Sequence, residues 1–222
     1  MLSQQGGLHV ISIEVVMKIL VVSAHPDDVE IACAGTLRRY QEQGAEIISV
    51  VTVQPSTEVN PNRTTAIVTN ELAASYAVSG WDLRIFPTPL HAGGRPNLVV
   101  NNVNMTQLHN LLEPCDIAII PNPEDSHQDH RATYELVWPY VKKHARQTWL
   151  MHSWPYCHDY QRTANYYVGI ADQWTFKRQL LECYSSYLSN ADIAYIYTAN
   201  QYWAQKNKQT LAECFTIVNS YE

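Results

Sequence analysis

Short apolar runs rich in β-branched residues alternate with helix-like segments along the first two thirds of this 222-residue chain. The apolar runs predict five strands, at residues 18–24, 46–53, 82–87, 116–121 and 148–153. Apolar residues at helical spacing predict helices between the strands, at residues 30–44, 65–80, 102–113 and 130–144. Strands and helices that alternate in this way build a parallel sheet covered on both faces. The sequence therefore predicts an α/β fold with a Rossmann-like, doubly wound, mostly parallel sheet in three α/β/α layers.

The two ends of the chain follow this pattern less well than its middle. The fold is expected to begin at Met17, so residues 1–16 are interpreted as an N-terminal extension, whether ordered or disordered, and residues 17–222 as a single domain. After about residue 153 only a helix at 174–188 and a closing strand at 213–218 are predicted. We expect structural roles for Lys177, on a solvated face of that helix, and for Glu213, at the start of that strand.

The composition excludes several classes of protein. Hydrophobic residues make up 46% of the chain and charged residues 16%, which is typical of a globular protein. The net charge of −6 argues against a nucleic-acid partner. No apolar run approaches the ~18 residues that span a bilayer, and the leader lacks the features of a signal peptide. Five scattered cysteines without a CxxC pair favour a reducing compartment. We therefore expect a cytoplasmic protein without a membrane span.

Histidines and carboxylates follow two of the predicted strands. The stretch SAHPDDVE (23–30) comes after the first strand, and HQDH (127–130) follows the fourth. Ligands of open α/β sheets bind beyond the carboxyl ends of the strands, and the first and fourth strands are often neighbours, so we expect the two clusters to meet. Two histidines and one carboxylate would supply the three protein ligands of a catalytic Zn²⁺, or of another divalent ion, and leave a position open for water.

Asp27 and Asp28 are consecutive and cannot easily point the same way. One is therefore expected to bind the metal and the other to face the water. Taken alone, a His-Pro-Asp segment is more often a turn with a capping aspartate before a helix. The presence of two clusters, each at the end of a strand, favours the metal site.

The sequence resembles the PIG-L/LmbE family of metal-dependent N-deacetylases. The resemblance rests on AHPDDVE (24–30) with the segment at 35–53 that follows it, and on HQDHR (127–131). It continues more faintly in NELAASYAVSG (70–80), KRQLLECYSSY (177–187) and AECF (212–215). The resemblance implies that His25, Asp28 and His130 bind zinc and that Asp27 is the general base. It also implies that His127 stabilises the oxyanion or protonates the leaving amine.

The other site residues are tied less closely to these motifs. Asp129 and Glu30 would surround the metal ligands, and Asp129 would orient a histidine. Arg63 and Arg95, in predicted loops, are the nearest basic candidates for gripping a sugar substrate. Tyr187 stands where the family usually has Gln and could contact the sugar. The resemblance further implies a homo-oligomer.

Three functions remain open at this stage. The first is a zinc-dependent hydrolase that removes an acetyl group from an N-acetylated amino sugar or sugar conjugate. The second is a metal-dependent hydratase acting on an unsaturated carboxylic acid, since the wider superfamily includes one. The third, a sugar- or nucleotide-binding module that has lost catalysis, is disfavoured because every expected site residue is present. A dinucleotide-binding enzyme is excluded because no GxGxxG follows the first strand.

Overall fold

The computed structural model describes residues 16–53, 64–88, 98–152 and 164–220. The strands in this part of the chain are β1 (Lys18–Ser23), β2 (Glu46–Val51), β3 (Asp82–Ile85), β4 (Cys115–Pro121), β5 (Ala145–Met151), β6 (Tyr166–Gly169) and β7 (Ala212–Ser220). The helices are α1 (Asp28–Ala32), α2 (Ala34–Gln41), α3 (Thr65–Ser79), α4 (Asn102–His109), α5 (Gln128–His144), α6 (Trp174–Glu182) and α7 (Asn190–Ala204), and a short 3₁₀ helix (Gln205–Asn207) follows α7.

All these strands form one sheet, in the order β3-β2-β1-β4-β5-β7-β6. Strands β1 to β5 are parallel, and β7 pairs antiparallel with both β5 and β6. The strand order reverses between β1 and β4, which pair directly through Ile19 and Ile117. The predicted doubly wound, mostly parallel sheet is therefore confirmed. The carboxyl ends of β1 and β4 meet at the position where such sheets bind ligands.

The core divides into two layers because side chains alternate across each strand. Ile19 and Val21 of β1 belong to a buried cluster that includes residues of α2, α3 and α6. Leu20 and Val22 belong to a second cluster, on the opposite face, that includes residues of α4 and α5. Each such buried side chain stabilises the fold by about 1.5–3 kcal/mol. The result is the expected three-layer arrangement, with α1 and α5 beginning near the ends of the central strands β1 and β4.

Some of the predicted elements differ from the structure. The single helix predicted at 30–44 is two helices, because Cys33 has φ −146° and ψ 7°. The helices predicted at 102–113 and 174–188 end earlier, at His109 and Glu182. Strand β6 and helix α7 were not predicted. None of the helices in the described ranges is long and apolar enough to cross a membrane.

The expectation that Lys177 lies on a solvated helix face is wrong. Its side chain is fully buried, and its Nζ lies 2.7 Å from Glu213 Oε1. A lysine can be buried in this way only when its charge is paired. Periodicity in the sequence does not reveal a partner 36 residues further along the chain.

Candidate metal centre

The first half of the site is the loop that joins β1 to α1. Asp28 is the first residue of α1, and its Oδ2 accepts hydrogen bonds from the backbone N–H groups of Ala24 (3.1 Å) and His25 (2.8 Å). A carboxylate is favoured there because helix N-termini carry partial positive charge. These bonds fold the loop back on itself, so that His25 and Asp28 are held side by side.

Asp27 has an unusual backbone conformation, with φ 95° and ψ −25°. The left-handed region costs a residue other than glycine about 1–3 kcal/mol, and such strain persists only where the surrounding structure enforces it. Asp27 is also buried, with 6% of its surface exposed. A strained, buried carboxylate directly before a candidate metal ligand supports a functional role for this position.

The second half of the site is the start of α5, just after β4. His127 is the N-cap residue of α5, and its Nδ1 accepts the Asp129 N–H at 3.2 Å. His130 is the third residue of the helix and is almost fully buried. Before the helix, Asp125 Oδ1 accepts the His127 N–H at 2.8 Å.

The two halves meet, as the strand order predicts. His25 Nδ1 lies 3.3 Å from His130 Nε2 and 3.7 Å from Asp28 Oδ2. Asp28 Oδ2 lies 3.3 Å from His130 Nε2. Tetrahedral zinc has ligand bonds of about 2.0–2.2 Å, which requires ligand atoms roughly 3.3–3.6 Å apart. The donor atoms of His25, Asp28 and His130 therefore fit a tetrahedral divalent ion closely.

A second set of three ligands also has to be considered. The imidazoles of His25, His127 and His130 each offer a nitrogen, and these nitrogens all lie within 4.8 Å of one another. We favour Asp28 over His127 as the third ligand, because its oxygen is at 3.3 and 3.7 Å from the other two donors. This leaves His127 beside the metal position, where it can act on a substrate.

Each of the two candidate ligand imidazoles, those of His25 and His130, is held by a carboxylate on its other nitrogen. Asp129 Oδ2 lies 3.0 Å from His25 Nε2, and Asp125 Oδ2 lies 2.7 Å from His130 Nδ1. Carboxylates in this position fix the ring orientation of metal-binding histidines and increase their basicity. Asp125 was missed in the sequence analysis. The available signal was a carboxylate two residues before His127, in NPEDSHQDH.

The pKa values in the cluster reflect its crowded charges. Burial lowers the pKa of His130, but the attraction of Asp28 and Asp125 outweighs burial and raises the pKa to about 10. Burial raises the pKa of Asp28, but His130 and His25 hold it well below its usual value. The pKa of His127 is lowered, mainly by burial and then by repulsion from the other two histidines. The site thus favours an ionised Asp28 and a neutral His127.

The remaining expected site residues lie elsewhere or outside the described residues. Glu30 is buried in α1, and its Oε1 accepts hydrogen bonds from Ser75 and Tyr184. Tyr187 lies just beyond α6 with 45% of its surface exposed. Arg63 and Arg95 lie outside the described residues.

One protein family matches the chain, described as PIG-L: GlcNAc-PI de-N-acetylase, over residues 20–141. This stretch contains both His/Asp clusters. No curated protein matches the chain.

Several solved structures share the fold. The N,N′-diacetylchitobiose deacetylase from Pyrococcus horikoshii is 18% identical, with a TM-score of 0.73 over 90% of this chain and 83% of that one. Teicoplanin deacetylase in its zinc-inhibited form is 15% identical, with a TM-score of 0.68 over 93% and 100% of the two chains. The 4-carboxy-2-hydroxymuconate hydratase from Pseudomonas putida KT2440 is 14% identical, with a TM-score of 0.70 over 93% and 98%. At these identities the likeness establishes the fold.

Proposed function

The chain belongs to the PIG-L family, and we propose that it is a zinc-dependent hydrolase that removes an acetyl group from an N-acetylated amino sugar or sugar conjugate. One observation carries the proposal. Three donor atoms, from His25, Asp28 and His130, lie 3.3–3.7 Å apart at the carboxyl edge of the sheet. The names of two deacetylases that share the fold support the same reaction class.

The reaction has two chemical requirements. An amide carbonyl is a weak electrophile, and an amine leaves only after it has gained a proton. A divalent ion held by His25, Asp28 and His130 would polarise the carbonyl oxygen and acidify a water molecule. The protein must then supply a base for the water and an acid for the amine.

Asp27 and His127 are suited to these two tasks. Asp27 would accept the proton of the attacking water, because it directly precedes the ligand Asp28 and lies in the same loop. His127, with its lowered pKa, is neutral before the reaction, so it would take up the proton that Asp27 has removed from the water and donate it to the leaving amine. Side-chain exposures of 27% for His25 and 33% for His127 leave the cluster open to a substrate.

The carboxylates of Asp125 and Asp129 would hold the histidines of this site in their orientations. Asp125 holds the His130 ring and the backbone of His127, and Asp129 holds the His25 ring. Reacting groups that are held in place avoid an entropic cost at each turnover. The division of roles therefore assigns a task to every His and Asp side chain of the two clusters.

The proposal is tested by metal reconstitution. The purified protein is stripped with a chelator and reloaded with one equivalent of Zn²⁺, Co²⁺ or Mn²⁺. One equivalent is used because a deacetylase of the same fold was solved in a zinc-inhibited form. N-acetylglucosamine and N,N′-diacetylchitobiose are then assayed for acetate and free amine. We expect both products in equal amounts, only after reloading. No acetate from a broad N-acetylhexosamine panel with any of the three metals would refute the proposal.

The hydratase that shares the fold supports a second candidate, a metal-dependent hydratase acting on an unsaturated carboxylic acid. Such an enzyme would clamp carboxylates with arginines, and Arg63 and Arg95, in the predicted loops, are candidates for this role as well. Incubation with unsaturated dicarboxylates separates the two functions. Loss of the conjugated absorbance, without acetate release from any sugar, would favour the hydratase.

A further inference from the structure

The junction between α1 and α2 is held by an ion pair from the last part of the chain. Lys177 Nζ donates a hydrogen bond to the carbonyl oxygen of Ile31, near the end of α1, at 2.8 Å. Glu213 accepts the N–H groups of Gly35 (3.0 Å) and Thr36 (2.7 Å), in the first turn of α2. Lys177 and Glu213 also bind each other at 2.7 Å. One buried ion pair thus provides hydrogen-bond partners for a backbone carbonyl at the end of α1 and for two backbone N–H groups at the start of α2.

The charges of this pair match the two helix ends. A cation is favoured at a helix C-terminus and an anion at a helix N-terminus. Helix α1 has only five residues, and a helix of that length is not stable alone in water. Both side chains are buried, so removal of one partner would leave an unpaired charge inside the protein. The position of α1 therefore depends on Lys177 and Glu213.

A second buried contact ties α1 to the same part of the chain. Glu30, in α1, accepts hydrogen bonds from Ser75 of α3 at 2.6 Å and from the Tyr184 hydroxyl at 2.8 Å. Glu71, also in α3, accepts the N–H and the hydroxyl of Ser186, each at 2.7 Å. The segment from α6 to Ser186 consequently holds both α1 and α3 through buried carboxylates.

We propose that Lys177, Glu213 and Tyr184 are positioning residues of the metal centre. They fix α1, and through it they hold Asp27 and Asp28 in the orientation that metal binding and water activation require. The inference rests on the proposed function, because it concerns the same His/Asp cluster. Ligand atoms only 3.3–3.7 Å apart tolerate little movement, and a displacement of about 1 Å can cost about 10²-fold in rate.

Substitutions of the pair test the proposal. Lys177→Met and Glu213→Gln each leave one buried charge unpaired, whereas the double variant leaves none. The matched control is a neighbouring ion pair on α6, Arg178 with Glu182, whose side chains are 57% and 45% exposed and lie 2.8 Å apart. Its double variant, Arg178→Met with Glu182→Gln, removes the same types of charge from the surface.

Two measurements report on the position of α1 independently of catalysis. Zinc affinity is measured by competition with a chromophoric chelator, and amide hydrogen exchange is followed over residues 24–33 of the metal-free protein. We expect each single variant to weaken zinc binding by about tenfold or more and to accelerate exchange. The double variant should recover part of the loss, because no buried charge remains unpaired. The surface control should match the wild type in both measurements.

The outcomes separate positioning from a purely structural role. Single variants that unfold at lower urea concentration, yet bind zinc as tightly as the wild type, would overturn the proposal. If the single variants do not fold, the double variant and Tyr184→Phe are used to test the proposal. Wild-type zinc affinity and wild-type amide exchange in both of these variants would overturn it. If the wild type binds no zinc, the proposed function fails. Amide exchange over residues 24–33 of the metal-free protein still tests the positioning role. Faster exchange in the variants than in the surface control supports that role, and equal exchange refutes it.

Discussion

The substitution Asp125→Asn tests the proposed metal centre at a residue outside the proposed set of ligands. Asp125 divides its two carboxylate oxygens between two partners, the His130 ring at 2.7 Å and the His127 N–H at 2.8 Å. When His130 binds a metal through Nε2, its Nδ1 carries a hydrogen, so both partners of Asp125 are donors. Asparagine offers one acceptor oxygen and one donor amide group. The variant can therefore satisfy only one of the two donors.

The size of the effect follows from the burial and charge of this contact. Asp125 is 2% exposed and His130 is 1% exposed, so the bond between them is little screened by water. A hydrogen bond to a charged group contributes about 1.5–3 kcal/mol. Because about 1.4 kcal/mol corresponds to a factor of ten, zinc affinity should fall by about 10- to 100-fold. That range agrees with the usual effect of removing the outer partner of a metal-binding histidine.

The measurement is a zinc titration of wild type and Asp125→Asn against a competing chelator at pH 7.5, with urea unfolding as a check on the fold. Glu124→Gln is the matched control, because Glu124 is the neighbouring carboxylate but is exposed. The control should bind zinc like the wild type. A dissociation constant for Asp125→Asn within about twofold of the wild-type value would refute the metal-site geometry.

The remaining predictions concern the base, a ligand and the response to pH. Asp27→Ala should keep zinc but reduce kcat by about 10²–10⁴, and loss of zinc would contradict its role as base. His130→Ala should lose zinc affinity in the chelator titration, and full occupancy would reassign the ligand. The pH–rate profile should be bell-shaped, whereas a flat profile would argue against a paired acid and base. Burial lowers the pKa of His152 to about 4, so as the pH falls from about 6.5 towards 4 the unfolded chain gains a proton that the folded protein excludes. The free energy of unfolding of the wild type therefore falls by on the order of 3 kcal/mol. In urea melts, the free energy of unfolding of His152→Gln should fall less than that of the wild type between pH 7 and pH 4.5. Equal decreases would contradict the lowered pKa assigned to His152.

The parts of the fold that could be predicted from sequence are those with a local signal. Strands β1, β2 and β4 are continuous apolar runs, and a strand buried on both faces leaves that mark wherever it occurs. The approach of His25 to His130 could also be anticipated. It follows from the rule that ligands bind where the strand order of a parallel sheet reverses, and it needs no knowledge of the individual contacts.

Two of the unpredicted elements have different explanations. Helix α7 had a readable signal, because Ser189 and Asp192 form a capping box and Ile193, Ile196 and Asn200 are buried at helical spacing. Strand β6 did not, because it has only four residues and, within the described ranges, pairs with β7 alone. A short edge strand is defined by its partner more than by its own sequence.

The structure gives a physical explanation for the segments whose resemblance to the family is faint. Glu71, Lys177 and Glu213 come from three such segments, and each forms a buried polar contact with a residue remote in sequence. Half of such a contact, seen alone, looks like an ordinary surface residue, which is why Lys177 was placed on a solvated face. A carboxylate that follows a strand, such as Asp28, can be recognised as a site residue because its position in the sheet is predictable from the sequence. The buried charges that support the site cannot be recognised in this way, because their burial depends on a partner that is remote in the sequence.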